Sequence, residues 1–168
     1  FKSSKLYKAI WTDKGSPLLI NSEALQRKLQ TRVGSNYYVE LAMRYQQPSI
    51  GRSLERLRQL RPSKIHILPL YPQYASSSSG STLEEVMRQI KSWEVIPSLN
   101  FISKFYDHPK FIAALINTAR RYTIADYDHV LFSYHGLPER QILKGSAHYG
   151  GNTCKMGDCC NSITRDNQ

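Results

Sequence analysis

No stretch of 18 uncharged apolar residues occurs in the sequence, which argues against a membrane-spanning helix. The opening residues, Phe1-Lys2-Ser3-Ser4-Lys5, lead into no apolar run of signal-peptide type, so no export signal is read there. Cysteine is scarce. All three lie between Cys154 and Cys160, too close for a distributed disulfide framework, and a reducing, cytoplasmic compartment is the expectation. Nine glycines and eight prolines are near average usage, which excludes collagenous and low-complexity chains. Acidic residues are few, 13 against 23 lysines and arginines, for a net charge of +10. Nucleic acid, anionic lipid and a carboxylate-bearing small molecule all suit such a surface. The basic residues form no run of five and accompany no nucleic-acid motif, so nucleic acid is set aside and most of the charge is read as a solvated face. What is present, 40% apolar and 11% aromatic residues in 168, suffices for a buried core and excludes disorder.

Periodicity places strands between helices. Residues 37–45 alternate, with Tyr37, Val39, Leu41, Met43 and Tyr45 on one face, which predicts a strand. Residues 64–71, 100–106 and 129–134 are three further apolar, β-prone runs. Ile50, Leu54 and Leu57 follow helical spacing, as do Phe111, Ile112, Leu115, Ile116, Ala119 and Tyr122. Ser81-Thr82-Leu83-Glu84 has capping-box spacing, and Asp107-His108-Pro109 offers a cap followed by a first-turn proline. The alternation predicts an α/β fold with a parallel sheet and right-handed crossovers. Ligands bind beyond the carboxyl ends of such strands, which singles out residues 44–48, 71–81 and 135–138, expected together at one end of the sheet.

His135 ends an apolar run and precedes Gly136, a position suited to a base or a metal ligand, or to a histidine capping a turn. His66, His108 and His129 are read as structural, and His148 falls in an irregular segment with its role open. The serine tract after Tyr74 opens onto a helix N-terminus, which suits an anionic group or is simply a polar loop. It lacks the Gly-x-x-x-x-Gly-Lys of a P-loop. Arg44 could fix a carboxylate, or be an ordinary surface arginine. Cys154, Cys159 and Cys160 stand within seven residues, a clustering that favours metal or iron-sulfur ligation, with structural or redox thiols the alternative.

Four stretches together resemble the ferrochelatases, enzymes that insert ferrous iron into a porphyrin in haem synthesis. They are Tyr7-Lys8-Ala9-Ile10-Trp11-Thr12 with Gly15-Ser16-Pro17-Leu18; Val39-Glu40-Leu41-Ala42-Met43-Arg44-Tyr45; Leu68-Pro69-Leu70-Tyr71-Pro72-Gln73-Tyr74 with Gly80-Ser81; and Phe132-Ser133-Tyr134-His135-Gly136-Leu137-Pro138-Glu139. The resemblance implies two similar Rossmann-like domains with the porphyrin in the cleft between them, only partly covered by this chain. Residues 1–125 would be the remainder of the N-terminal domain, and 126–168 the start of the C-terminal one with a cysteine-rich insert. The family's opening strand would precede Phe1 and its acidic catalytic motif would follow Gln168, so this piece alone is expected to be inactive. His135 matches the active-site histidine assigned to pyrrole proton abstraction or iron delivery. Arg44, Tyr45, Tyr71, Ser77 and Ser78 match positions lining the porphyrin or its approach. After Pro138 the chain departs from the family's Gly-Asp-x-Tyr segment and resembles the insert by which some bacterial members hold a [2Fe-2S] cluster. Cys154, Cys159 and Cys160 would then be ligands, with a fourth from outside this chain.

Two functions are thus expected to compete. The first is a metal-inserting lyase acting on protoporphyrin IX or coproporphyrin III with ferrous iron, cytoplasmic, with peripheral contact to the inner membrane left open. The second is a non-catalytic metal or tetrapyrrole carrier of the same fold, with His135 as ligand.

Overall fold

The computed structural model describes residues 8–148. The elements are α1 (Pro17–Val33), a 3-10 turn (Gly34–Asn36), α2 (Ile50–Gln59), β1 (Lys64–Ile67), a π-helical turn (Ser76–Gly80) running into α3 (Ser81–Ile90), β2 (Ser98–Phe101), α4 (Pro109–Ala119), a second 3-10 turn (Ile124–Asp126) and α5 (Glu139–His148). The chain divides into two compact units, Phe1–Ser63 with Glu85–Pro97, and Lys64–Glu84 with Ser98–Gln168.

The first unit is helical. Ile50 and Leu54 on α2, and Val86 and Ile90 on α3, are its buried aliphatic side chains, each pair spaced to share one helix face. α2 starts at Ser49, whose hydroxyl accepts the Arg52 N–H, and Gly51 lets it approach α3 closely. A Cβ at Gly51 would lie 2.9 Å from the Gln89 carboxamide. α1 begins with Pro17 at its first turn and ends at Gly34, whose φ of 71° is the left-handed geometry glycine adopts without strain. No residue of α1 is buried.

The expected strand over 37–45 does not form. The segment is extended, and its ordered contact of strand type is one bridge, Met43 with Ser49. The expected faces are not kept apart either: Val39, Leu41 and Met43 are half-buried, but so are Glu40 and Arg44, and Tyr37 and Tyr45 are exposed. Among the described residues no strand lies alongside, and the backbone hydrogen bonds go to side chains of α1 and α2 instead.

The second unit carries the sheet. β1 and β2 pair in parallel, with Ile65 opposite Leu99 and His66 opposite Asn100, and the Ile102 N–H extends the ladder to the Ile67 carbonyl at 3.0 Å. Ile65 faces inward and is buried. This is the expected α/β arrangement, with shorter strands than 64–71 and 100–106. Pro69 and Pro72 end the first run, since a proline has no N–H for the ladder. The second run turns away where the Phe105 and Tyr106 N–H groups both bond the Pro72 carbonyl.

His108, rather than Asp107, caps α4 by accepting the Lys110 N–H on Nδ1, and the helix stops at Ala119, short of Tyr122. Ser81, the expected cap of the box over 81–84, stands in helical backbone rather than at the start of the helical run. Helical backbone already begins at Ser76, with the Ser78 and Gly80 N–H groups both bonding the Ala75 carbonyl. Residues 129–134 do not form the expected strand. They carry no regular secondary structure, with Leu131 90% exposed and Phe132 76% exposed, because no described strand pairs with them. His148, expected in irregular chain, is the last residue of α5.

Candidate functional site

Arg44 and Tyr45 follow the extended segment of the first unit. The Arg44 guanidinium carbon lies 4.7 Å from the Tyr45 ring centroid, a cation-π contact, and Tyr45 is largely exposed. Upstream, Arg56 on α2 forks onto the Glu40 carboxylate, Nε to Oε1 at 3.0 Å and Nη2 to Oε2. The Ser53 hydroxyl donates to the Leu41 carbonyl at 2.7 Å. Arg44 also bears on Glu85, whose pKa is lowered to about 2, first by hydrogen bonding from Arg88, then by Gln89, with smaller charge contributions from Arg88 and Arg44. A cationic, aromatic corner on a braced backbone results.

The second unit carries Tyr71, Ser77, Ser78 and His135. Tyr71 and Tyr74 are exposed on the loop after β1. Gly80 permits the Tyr74 hydroxyl to sit 2.9 Å from where a Cβ would be. The serine tract is a π-helical turn rather than an open polar loop. The Ser78 hydroxyl bonds back to the Ala75 carbonyl at 3.4 Å, and the Ser79 hydroxyl is buried without a hydrogen-bond partner among the described residues. The Ser77 hydroxyl reaches Gln141 Oε1 on α5 at 3.3 Å, which ties the serine turn to the helix that follows His135-Gly136-Leu137-Pro138.

His135 is exposed, and its Nδ1 lies 2.7 Å from the Gly136 carbonyl oxygen. A carbonyl can only accept, so this contact makes Nδ1 the protonated nitrogen. The lone pair of the neutral ring then sits on Nε2. That nitrogen can take a proton or bind a divalent cation. His66 and His108 have structural partners, the Asn100 carboxamide across the sheet and the α4 N-terminus.

Among the described residues no group of three or more His, Cys, Asp or Glu could hold a metal ion. Cys154, Cys159 and Cys160 lie outside the described residues. A surface groove of about 580 Å³ in the first unit, lined by Arg58, Arg61, Trp93 and Glu94 among others, contains none of the candidate residues. Sequence reasoning missed Gln26, Gln30, Ser53 and Gln141. The i, i+4 spacing of Gln26 and Gln30 on one helix was their legible trace.

The ferrochelatase family model matches residues 1–158. The chain belongs to the ferrochelatase family. Among curated relatives, it is 45% identical over 143 residues to the ferrochelatase of Legionella pneumophila strain Corby, covering 85% of this chain and 42% of the relative. It is 41% identical over 159 residues to the ferrochelatase of Pseudomonas fluorescens biotype C, covering 95% and 46%. For the ferrochelatase of Alcanivorax borkumensis the values are 38% over 154 residues, 88% and 45%. The chain thus spans less than half the length of these relatives. No solved structure matches it. No helix among the described residues is long and apolar enough to cross a membrane.

Proposed function

We propose that the protein is a metal-inserting lyase that places ferrous iron into a porphyrin, with His135 as the pyrrole proton acceptor or iron ligand. The reaction exchanges one Fe2+ for the two pyrrole N–H protons, so a base with an open lone pair must stand at the macrocycle. The observation that carries the reading is the 2.7 Å contact of His135 Nδ1 with the Gly136 carbonyl on an exposed ring, which in the neutral imidazole leaves the lone pair on Nε2. Tyr45 and Tyr71 supply flat apolar surface for the ring system, while Arg44 supplies positive charge for its carboxylates. Ser77 and Ser78 line the approach. In this reading residues 1–125 and 126–168 divide between the two family domains. The protein works in the cytoplasm, with its basic surface available to an anionic membrane face.

The cysteines enter the same proposal. Three thiolates within seven residues supply soft ligands that iron or zinc accepts, and they fill three of the four positions of a [2Fe-2S] cluster.

In the full-length protein, His135→Ala should lower the rate of iron insertion by ~10² or more while porphyrin binding persists. Near-normal turnover with unchanged folding would refute the role of His135. Tight porphyrin binding by the wild type without any insertion would replace the enzyme by a tetrapyrrole carrier.

A further inference from the structure

Two glutamines one turn apart on α1 use their carboxamides on the backbone that leads to Arg44. Gln30 Oε1 accepts the Val39 N–H at 2.8 Å, and its Nε2 donates to the Tyr37 carbonyl at 2.9 Å and the Gly34 carbonyl at 3.0 Å. Gln26 Nε2 donates to the Val39 carbonyl at 2.8 Å. Both main-chain polar groups of Val39 are therefore satisfied by α1 side chains. From α2, the Ser53 hydroxyl takes the Leu41 carbonyl at 2.7 Å. The Met43 N–H then bonds the Pro48 carbonyl at 2.7 Å, closing the turn that carries Arg44 and Tyr45.

A carboxamide presents an acceptor oxygen and two N–H donors, so it can offer an extended segment both of the functions a neighbouring strand's peptide groups would. Glutamine is therefore chemically suited to this place in a way that its near-isosteres are not. Leucine offers neither group, and glutamate accepts from Val39 but cannot donate to Tyr37 or Gly34. The two bonds to Val39 are half-buried, where unmade main-chain groups are costly, while those to Tyr37 and Gly34 are exposed, so the hold on the segment rests chiefly on Val39.

We infer that Gln30, supported by Gln26, is a positioning residue of the porphyrin site, acting through the backbone of residues 37–43 to fix Arg44 and Tyr45. This rests on the functional reading above. Gln30 touches no substrate in this account. Its effect belongs in porphyrin affinity and not in the proton-transfer step at His135.

The test compares wild type, Q30L and Q30E in the full-length protein by hydrogen exchange resolved to peptides, porphyrin binding by fluorescence, and steady-state iron insertion. Q30L should speed exchange in residues 37–43 selectively and raise the porphyrin KM about tenfold, the equivalent of one to two net hydrogen bonds, with kcat little changed. Q30E, which keeps the Val39 acceptor, should fall between the two. In an R44A background Q30L should cost less affinity than in the wild type, because one of its two routes to the ligand has been removed. Unchanged exchange at 37–43 would overturn the clamp. Faster exchange with unchanged porphyrin affinity, or an equal loss with and without Arg44, would overturn the positioning role. A wild type that neither binds porphyrin nor inserts iron would overturn the functional reading, and the site inference with it, while the exchange data would still report whether Gln30 holds the segment.

Discussion

Glu40 and Arg56 form an ion pair whose two halves differ in burial, and the difference predicts an asymmetric response to mutation. The Glu40 side chain is 9% exposed and the Arg56 side chain 39% exposed. Glu40 accepts from two guanidinium nitrogens, and Arg56 Nη2 also donates to the Ser53 hydroxyl at 3.3 Å. Arg56→Met leaves a carboxylate nearly out of water with its charge-assisted bonds unmade, which should cost about 2–3 kcal/mol, below the full buried-pair penalty because Arg56 itself is partly solvated. Glu40→Gln leaves one acceptor in place and a cation that can turn to water, so its cost should be about 1 kcal/mol. The double variant removes the stranded charge and should be more stable than Arg56→Met alone. Urea unfolding of the full-length protein measures this through the midpoint at unchanged m-value. A double variant no more stable than Arg56→Met, or a Glu40→Gln cost equal to that of Arg56→Met, would refute the burial argument.

Glu85 is held at about 2 against an ordinary value of 4.5, chiefly by its hydrogen bond from Arg88. A lowered carboxylate pKa stabilises the fold above pH 4.5, and that contribution is lost as pH falls toward 2. With Arg88 60% exposed, Glu85→Gln should cost only about 1 kcal/mol at neutral pH, and the gap from wild type in pH-dependent unfolding should close over that acid window. Ile90, 1% exposed, should lose about 2–4 kcal/mol on substitution by alanine in the same unfolding assay. Leu131→Lys, at 90% exposure, should leave the stability of this 168-residue chain within about 0.5 kcal/mol and reduce its self-association in sedimentation velocity. Anaerobically purified full-length protein should show the visible absorption of a [2Fe-2S] cluster, lost on Cys154→Ser. A colourless preparation with stoichiometric zinc would make the cysteines a zinc site.

The parts of the fold legible in the sequence are those whose signals are local. Ile50 and Leu54 mark the α2 face, His108-Pro109 opens α4, and the apolar run around Ile65 becomes a parallel strand. α1 had its signals in Ser16-Pro17, in Gly34 and in Leu18, Leu25 and Leu29, which at i, i+7 and i+11 share one helix face; all three leucines remain exposed, so the stripe marks a helix without marking a core. The two unformed strands show what a local signal omits. Alternation reports that a segment can be extended with one face covered, whereas a strand also requires a partner backbone. That partner is a non-local fact that the periodicity of 37–45 does not contain.

The site divides along the same line. The side chains proposed to meet a ligand, His135, Arg44, Tyr45, Tyr71, Ser77 and Ser78, stand out because their motifs follow strand-like runs. The groups that hold them do not stand out. Gln30 is one polar residue among many on an exposed helix until its three hydrogen bonds are seen to end on Gly34, Tyr37 and Val39. Gln141 means nothing until Ser77 is found beside it. His135 is the intermediate case: its position is readable, but the choice of Nε2 as the open nitrogen depends on a single carbonyl, that of Gly136, which only the backbone geometry supplies. Chemistry-bearing residues are thus constrained by type, which a sequence records directly. Their supports are constrained by distance and direction, which several residue types could meet and which the fold alone selects.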